Sequence, residues 1–149
     1  MGFKLAKEIE NYILKEGLNQ KEVILNFISH SMGGIIARAS LKHLKKFEKQ
    51  LGFFCSLASP HLGYLNGTDG MIKAGLWVMR KMKETKSLDQ LSMQDSKKVE
   101  ESFLFNLSTQ GSLKKFRKII LISSAEDSYV PWHSARICFY KSKNSFSKL

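Results

Sequence analysis

The stretch that decides the fold is residues 23–34, VILNFISHSMGG. It opens with a mostly apolar run, Val23 to Ile28, which is typical of a buried strand. Small residues follow, and the apolar positions from Ile35 to Leu44 then recur at helical spacing. A strand, a tight turn and a helix in that order form the context in which a serine becomes a nucleophile, so Ser31 is the candidate.

The turn itself sets further requirements. Its central residue is held in a strained backbone conformation that lifts the side chain above the end of the sheet. The residues two positions away on either side must be small, because strand and helix pass close together there, and Ser29 and Gly33 meet that condition. The alternatives are a turn without chemistry or a phosphate site at the helix N-terminus. The Gly-Lys-Ser/Thr ending of a phosphate loop does not follow this strand.

Two more segments, residues 51–58 and 117–124, are near-continuous apolar runs. Such runs predict strands that are covered on both faces. Helical patterns occupy residues 5–18, with a stop at Gly17, the segment after the turn to about Lys46, and residues 99–110. Strands alternating with helices predict an α/β fold, with a mostly parallel sheet flanked by helices.

Parallel strands place their functional residues beyond their carboxyl ends. Ser31, His61 and Asp127 each come just after one of the predicted strands. A serine hydroxyl is a weak nucleophile until a base takes its proton, and an acid usually orients that base. The three strand ends therefore carry the residue types that nucleophilic acyl transfer requires.

In four segments of its sequence, the chain resembles the putative serine esterase family, whose members are lipase-like proteins of the α/β-hydrolase superfamily. The resemblance rests on residues 27–34 (FISHSMGG), 59–63 (SPHLG), 88–96 (LDQLSMQDS) and 127–137 (DSYVPWHSARI). It implies a partial α/β-hydrolase fold that hydrolyses carboxylic or lipid esters through an acyl-enzyme, with neither a metal nor an organic cofactor.

The resemblance also implies roles for individual residues. Ser31 would be the nucleophile, the Met32 N–H an oxyanion donor and Asp127 the acid of the triad. Glu126 and Asp95 are the competing acids, although an aspartate placed like Asp95 more often caps a helix.

The chain order of serine, acid and histidine leaves His133 as the candidate base, since it is the histidine downstream of the acid. Its other interpretation is the start of the helix after the acid loop. His61 either lines the mouth of the pocket or bonds the backbone of its loop, and His30 is expected to pack within the turn beside the pocket. His43 lies among lysines and is expected at the surface.

Two parts of a complete hydrolase are not expected in residues 1–149. The second oxyanion donor normally follows an earlier strand, and the catalytic histidine normally follows a later one. We therefore expect a single, incomplete hydrolase domain. The alternative is a catalytically inactive hydrolase-like module that binds a lipid or membrane surface through its basic, Met-rich segment. Residues 71–82 of that segment are expected to form a core helix, with a lid whose apolar face meets lipid as the alternative.

Charge and targeting signals suggest partners and location. The net charge of +11 favours an anionic partner such as a membrane surface, while the dispersed basic runs around residues 42–46, 80–83 and 114–118 suggest solvated faces and no nucleic-acid partner. Cys55 and Cys138 suggest neither a disulfide nor a metal site. A soluble, cytoplasmic protein is expected, with the ending Ser147-Lys148-Leu149 suggesting the peroxisome as an alternative.

Overall fold

A parallel sheet of three strands forms the centre of the computed structural model, which describes residues 1–64 and 86–138. The strands are β1 (Leu25–His30), β2 (Leu51–Leu57) and β3 (Lys118–Ile122), in the spatial order β1-β2-β3. His30 pairs with Leu57, and Leu57 pairs with Ile122. All three strands thus end level with one another, which confirms the predicted α/β architecture with a partial parallel sheet.

Five α-helices accompany the sheet within the described residues. They are α1 (Gly2–Lys15), α2 (Met32–Ser40), α3 (Lys86–Leu91), α4 (Phe103–Thr109) and α5 (Trp132–Arg136). Gly17 has a φ of 61° just beyond the end of α1, a conformation that glycine adopts without strain, so the predicted glycine stop is confirmed. Short 3-10 turns occupy 41–43, 45–50, 99–101 and 112–115.

The helix after β1 is shorter than predicted. It ends at Ser40, and the chain continues to Gln50 in two 3-10 turns separated by Leu44. The Ser40 hydroxyl donates to the Ala37 carbonyl at 2.7 Å, a local bond that competes with continued helix. The apolar spacing that predicted a helix to Lys46 is still used, because Leu41, Leu44 and Phe47 are all buried.

Two apolar clusters hold the described elements together. One joins α1 and α2 to the sheet and includes Phe27, Phe54 and Phe116, whose rings are in contact. The other lies toward the carboxyl ends of the strands, between α2, α4 and α5, and contains Ile35, Ala39, Tyr64, Leu91, Leu104, Leu107, Val130 and Ala135. The second cluster supports the loops that follow β2 and β3.

The prediction that every strand is covered on both faces is wrong for β1 and β3. In the part of the chain that the structure describes, Ile28 of β1 is 74% exposed and Ile122 of β3 is 47% exposed. Both strands are edges of the three-stranded sheet, and only the central β2 is buried over most of its length. Adjacent side chains of a strand point to opposite faces, so Phe27 is buried while Ile28 is not.

Two sequence predictions fall outside the described residues. These are the Met-rich segment 71–82 and the ending Ser147-Lys148-Leu149. Over the ranges 1–64 and 86–138, no helix combines the length and the apolar character needed to span a bilayer.

Candidate functional site

The turns that follow the three strands meet at one edge of the sheet. The backbone N–H of Ser31 donates to the Leu57 carbonyl at 2.8 Å, and the N–H of Ala58 donates to the Ile122 carbonyl at 2.9 Å. These two bonds extend the ladder one step beyond the strands. The turn after β1 is therefore fixed to the end of β2, and the turn after β2 is fixed to the end of β3.

Ser31 has the strained backbone that its position predicts. Its φ is 55° and its ψ is −129°, in a region that side-chain-bearing residues rarely adopt. Such a conformation costs on the order of 1–3 kcal/mol and persists only where the surroundings impose it. The residue is 5% exposed, and its Oγ forms no hydrogen bond with any described residue. A buried hydroxyl is thus held at the end of β1 without a partner.

Helix α2 begins directly after Ser31. The first four N–H groups of an α-helix have no acceptor within the helix, so the amides of Met32 and Gly33 are donors at the serine end. The positive end of the helix dipole lies at the same place. The sequence-based assignment of Met32 N–H as an oxyanion donor is compatible with this position, and it stays a prediction.

Close packing under α2 explains the second glycine of the turn. A Cβ atom built on Gly34 would lie 2.7 Å from Cβ of Ser59 and 3.1 Å from Cε1 of His61. On Gly33 it would meet only Cβ of Ser29, at an ordinary 3.6 Å. The loop after β2 therefore presses against α2 at Gly34, and this contact helps to hold the turn in its strained shape.

Asp127 lies in the loop after β3. Its Oδ1 accepts the backbone N–H groups of Tyr129 at 2.8 Å and Val130 at 3.0 Å, which fixes the carboxylate within the loop. Burial raises the pKa of the Tyr64 hydroxyl, and the charge of Asp127 raises it further. The half-buried carboxylate is therefore close to Tyr64. Asp127 follows β3 at the same sheet edge as Ser31, and its role as the acid of a triad stays a prediction.

The competing acids occupy other positions. Oδ2 of Asp95 accepts the backbone N–H of Phe103, the first residue of α4, at 2.9 Å. The N-cap residue of α4 is Ser102, so Asp95 accepts one of the free N–H groups at the start of this helix without being its N-cap. Glu126 is exposed in the turn after β3, where its own N–H donates to Ser124 Oγ at 3.1 Å.

His61 is buried, with 2% of its surface exposed, so its expected position at a pocket mouth is wrong. Its ring lies between Ser56 Oγ, 2.8 Å from Nε2, and Arg38 Nη1, 3.4 Å from Nδ1. A guanidinium only donates, so Nδ1 accepts from Arg38 and Nε2 carries the hydrogen that is donated to Ser56. Its backbone N–H donates to the Ser59 carbonyl at 2.8 Å, as the alternative interpretation expected.

The protonation of this imidazole is suppressed by its surroundings. Burial lowers the pKa of His61 to about 3, and the positive charge of Arg38 contributes to the same shift. A neutral ring whose two nitrogens are both engaged is a structural group. It holds the loop after β2 against α2 and against the carboxyl end of β2.

Arg38 connects three elements and was missed by the sequence analysis. Nη1 donates to the His61 carbonyl at 3.2 Å, and Nη2 donates to the Leu107 carbonyl of α4 at 3.3 Å. Burial lowers its pKa to about 10, which still leaves it charged at neutral pH. No carboxylate among residues 1–64 and 86–138 forms an ion pair with it. The available signal was an arginine seven positions after Ser31, between Ala37 and Ala39 on a buried helical face.

The remaining histidines form no hydrogen bond with the Ser31 hydroxyl. His30 ends β1 and is exposed, so the expectation that it packs within the turn is wrong; it lines an apolar groove beside β1 with Gly33 and Ile36. His43 is exposed, as expected, and its ring contacts Phe3. His133 is half-buried in the first turn of α5, with its ring 5.9 Å from that of Trp132. All four histidines lie in the described residues, and none is hydrogen-bonded to Ser31 Oγ. The structure therefore brings Ser31 and Asp127 to one edge without joining a base to the serine.

A second apolar groove lies beside the first turn of α2. Its volume is about 370 Å³, and its lining includes Met32, Ile35, Ile36, Phe3 and Phe103. Grooves of this size accommodate small apolar ligands. Within the described ranges, no set of three His, Cys, Asp or Glu side chains is arranged to hold a metal ion.

Comparison with known proteins gives one family. The model of the family described as "Putative serine esterase (DUF676)" matches residues 1–143. No solved structure matches the chain. With its parallel sheet, its strained serine turn and a family match over nearly its whole length, the chain belongs to the putative serine esterase family.

Proposed function

We propose that the chain is a serine hydrolase of carboxylic esters, with Ser31 as its nucleophile. The observation that carries the proposal is the backbone of Ser31, with a φ of 55° at a strand-to-helix turn and a buried hydroxyl that forms no hydrogen bond. A strained serine between a strand and a helix supports a nucleophile elbow, in which the hydroxyl must be accessible to the substrate; the buried Ser31 hydroxyl would therefore have to be uncovered for the reaction. Membership of a family named for serine esterases supports the same reaction class.

In the proposed reaction, Ser31 Oγ attacks the ester carbonyl and its proton passes to a base. The N–H of Met32 donates to the oxygen that becomes negative. Collapse of this intermediate expels the alcohol, which takes the proton back from the base, and leaves an acyl-serine that water hydrolyses. Asp127 orients the base, for which His133 is the candidate. His133 must approach Ser31 for turnover, because Ser31 Oγ has no hydrogen-bond partner in the described structure.

The substrate class that fits best is an ester with an apolar acyl chain. The groove beside Met32 is lined mainly by aliphatic and aromatic side chains and begins next to the proposed oxyanion donor. An acyl chain in this groove would leave its carbonyl near Ser31. Apolar contacts of this kind stabilise by about 0.8 kcal/mol per buried methylene, so longer chains should react better than acetate.

A fluorophosphonate probe tests the nucleophile directly. It should label the chain at Ser31, and Ser31→Ala should remove the label while leaving the circular dichroism unchanged. Ser108→Ala, which alters an exposed serine of α4, is the matched control and should label normally. Labelling at another serine, or none in a folded sample, would reject Ser31 as the nucleophile.

A second candidate is a hydrolase-like module without catalytic activity. It is favoured by the absence of a hydrogen bond between Ser31 Oγ and any of the four histidines. The two candidates differ in their response to His133→Gln. If His133 is the base, ester turnover and probe labelling both fall by orders of magnitude. A chain that neither turns over esters nor labels, before or after this change, is the non-catalytic module.

A further inference from the structure

A groove of about 920 Å³ lies at the amino-terminal end of the sheet, opposite Ser31. It is lined by the segments that lead into the strands: residues 20–24 before β1, residues 45–50 before β2 and Arg117 before β3. The lining also includes the apolar residues Val23, Ile24 and Phe47. Because the strands are parallel, the groove and Ser31 are separated by the length of β1, about 20 Å.

The lining of this groove is strongly positive. Its cationic residues are Lys21, Lys45, Lys46, Lys49 and Arg117. Its acidic residues are Glu22 and Glu48.

Most of that positive charge is not neutralised by the protein. Lys46 pairs with Glu10 at 3.0 Å, and Glu48 is already paired with Lys115 at 2.8 Å. Lys21, Lys45, Lys49 and Arg117 form no ion pair with any described residue.

A smaller groove of about 370 Å³ continues the same surface. It shares Lys45 and Glu48 with the first groove and adds Lys42 and Lys115. The basic runs near residues 42–46 and 114–118, which look like separate solvated faces in the sequence, therefore meet at one end of the sheet. Like charges held around a concave surface raise its positive potential and attract anions.

We propose that this basic groove binds an anion that carries two or more phosphate groups, either a soluble polyphosphate or a phosphorylated lipid head group. Lysine ammonium groups donate to phosphate oxygens in several directions, and the Arg117 guanidinium donates in a fork that matches a phosphate. The concave volume suits a small polyanion. The proposal does not depend on Ser31 being a nucleophile, because the two sites lie at opposite ends of the strands.

Binding is measured with two probes and one double variant. Inorganic tripolyphosphate in titration calorimetry represents the soluble source, and co-sedimentation with phosphatidylcholine vesicles containing a phosphatidylinositol bisphosphate represents the lipid source. Binding should weaken as salt rises. The double variant Lys45→Glu, Lys49→Glu should lower affinity at least about tenfold, as expected for several surface charge interactions of up to about 1 kcal/mol each. Fluorophosphonate labelling of Ser31 should not change in this variant.

The matched control is Lys4→Glu, Lys97→Glu, which makes the same change in net charge at exposed lysines that do not line either groove. It should bind like the unaltered chain. Binding to one probe alone identifies the source of the phosphate groups. Equal losses in both double variants, no binding to either probe, or stronger binding to duplex RNA than to both would each overturn the proposal.

Discussion

Nε2 of His61 lies 2.8 Å from Oγ of Ser56, so the buried imidazole of this chain is bonded to a serine within β2 and not to Ser31. Arg38 donates to the other ring nitrogen, Nδ1, so the ring hydrogen is on Nε2. Ser56 and His61 therefore stabilise the fold in this arrangement and do not form a catalytic pair. The arrangement connects the loop after β2, helix α2 and the sheet directly beneath the strained turn.

This relationship predicts a dependence of stability on pH. The folded-state pKa of His61 is about 3, while its ordinary value is 6.5. Above pH 6.5 the ring is neutral in both states and contributes no pH dependence. As pH falls from 6.5 toward 3, His61 becomes protonated in the unfolded chain but stays neutral in the native chain. The free energy of unfolding therefore falls. The loss from His61 should reach about 2 kcal/mol near pH 5.

Chemical denaturation at several pH values measures this loss. His61→Gln keeps an acceptor for Arg38 and a donor for Ser56 but does not titrate, so its stability should change less between pH 6.5 and 5. His43→Gln, at an exposed histidine, should keep the slope of the unaltered chain. Parallel slopes for all three proteins would contradict the structural role of His61.

Arg38 should not be replaceable by lysine. Its two terminal nitrogens reach the carbonyls of His61 and Leu107, which belong to different elements, and one ammonium cannot donate to both in the same way. Arg38→Lys should therefore lower the free energy of unfolding by about 1–3 kcal/mol. Thermal or urea unfolding measures the effect. Arg136→Lys, at an exposed arginine of α5, should cost little, and an equal cost in both variants would argue against the bridging role.

The two adjacent glycines of the turn should respond differently to alanine. Both substitutions gain up to about 1 kcal/mol of helix propensity. Gly34→Ala also forces a methyl group against Ser59, at 2.7 Å from its Cβ, and overpacking of this kind costs about 1–3 kcal/mol. Gly33→Ala meets no such contact. Unfolding experiments should therefore find Gly34→Ala less stable than Gly33→Ala, with partial rescue by Ser59→Gly, and equal stability of the two would refute the close approach.

The apolar groove beside Met32 should determine preference for chain length. Ile36→Ser removes apolar surface from the groove and should lower kcat/KM for a long-chain p-nitrophenyl ester about tenfold relative to the acetate. Ile24→Ser, at the opposite end of β1, should leave that ratio unchanged. A parallel loss on both esters in Ile36→Ser would indicate damage to the fold and not to an acyl site.

The local features of this fold were accessible from the sequence because they depend on neighbouring residues. The apolar runs located all three strands, and the small residues around Ser31 predicted its turn. Contacts between residues that are distant in the sequence could not be predicted. Nothing in the stretch around Arg38 indicates that it contacts His61 and Leu107, and the coverage of Ile28 depends on what packs beside an edge strand. The two basic runs likewise share a groove only because parallel strands bring their first residues to one end.

The positive φ of Ser31 makes the reactive geometry depend on the whole domain. A residue in an unfavourable conformation, as Ser31 is, relaxes as soon as its surroundings loosen. Warming should therefore erase reactivity toward an acyl group before circular dichroism registers any melting. Loss of serine reactivity would then report the loosening of tertiary packing around the turn, where Gly34 contacts the loop after β2.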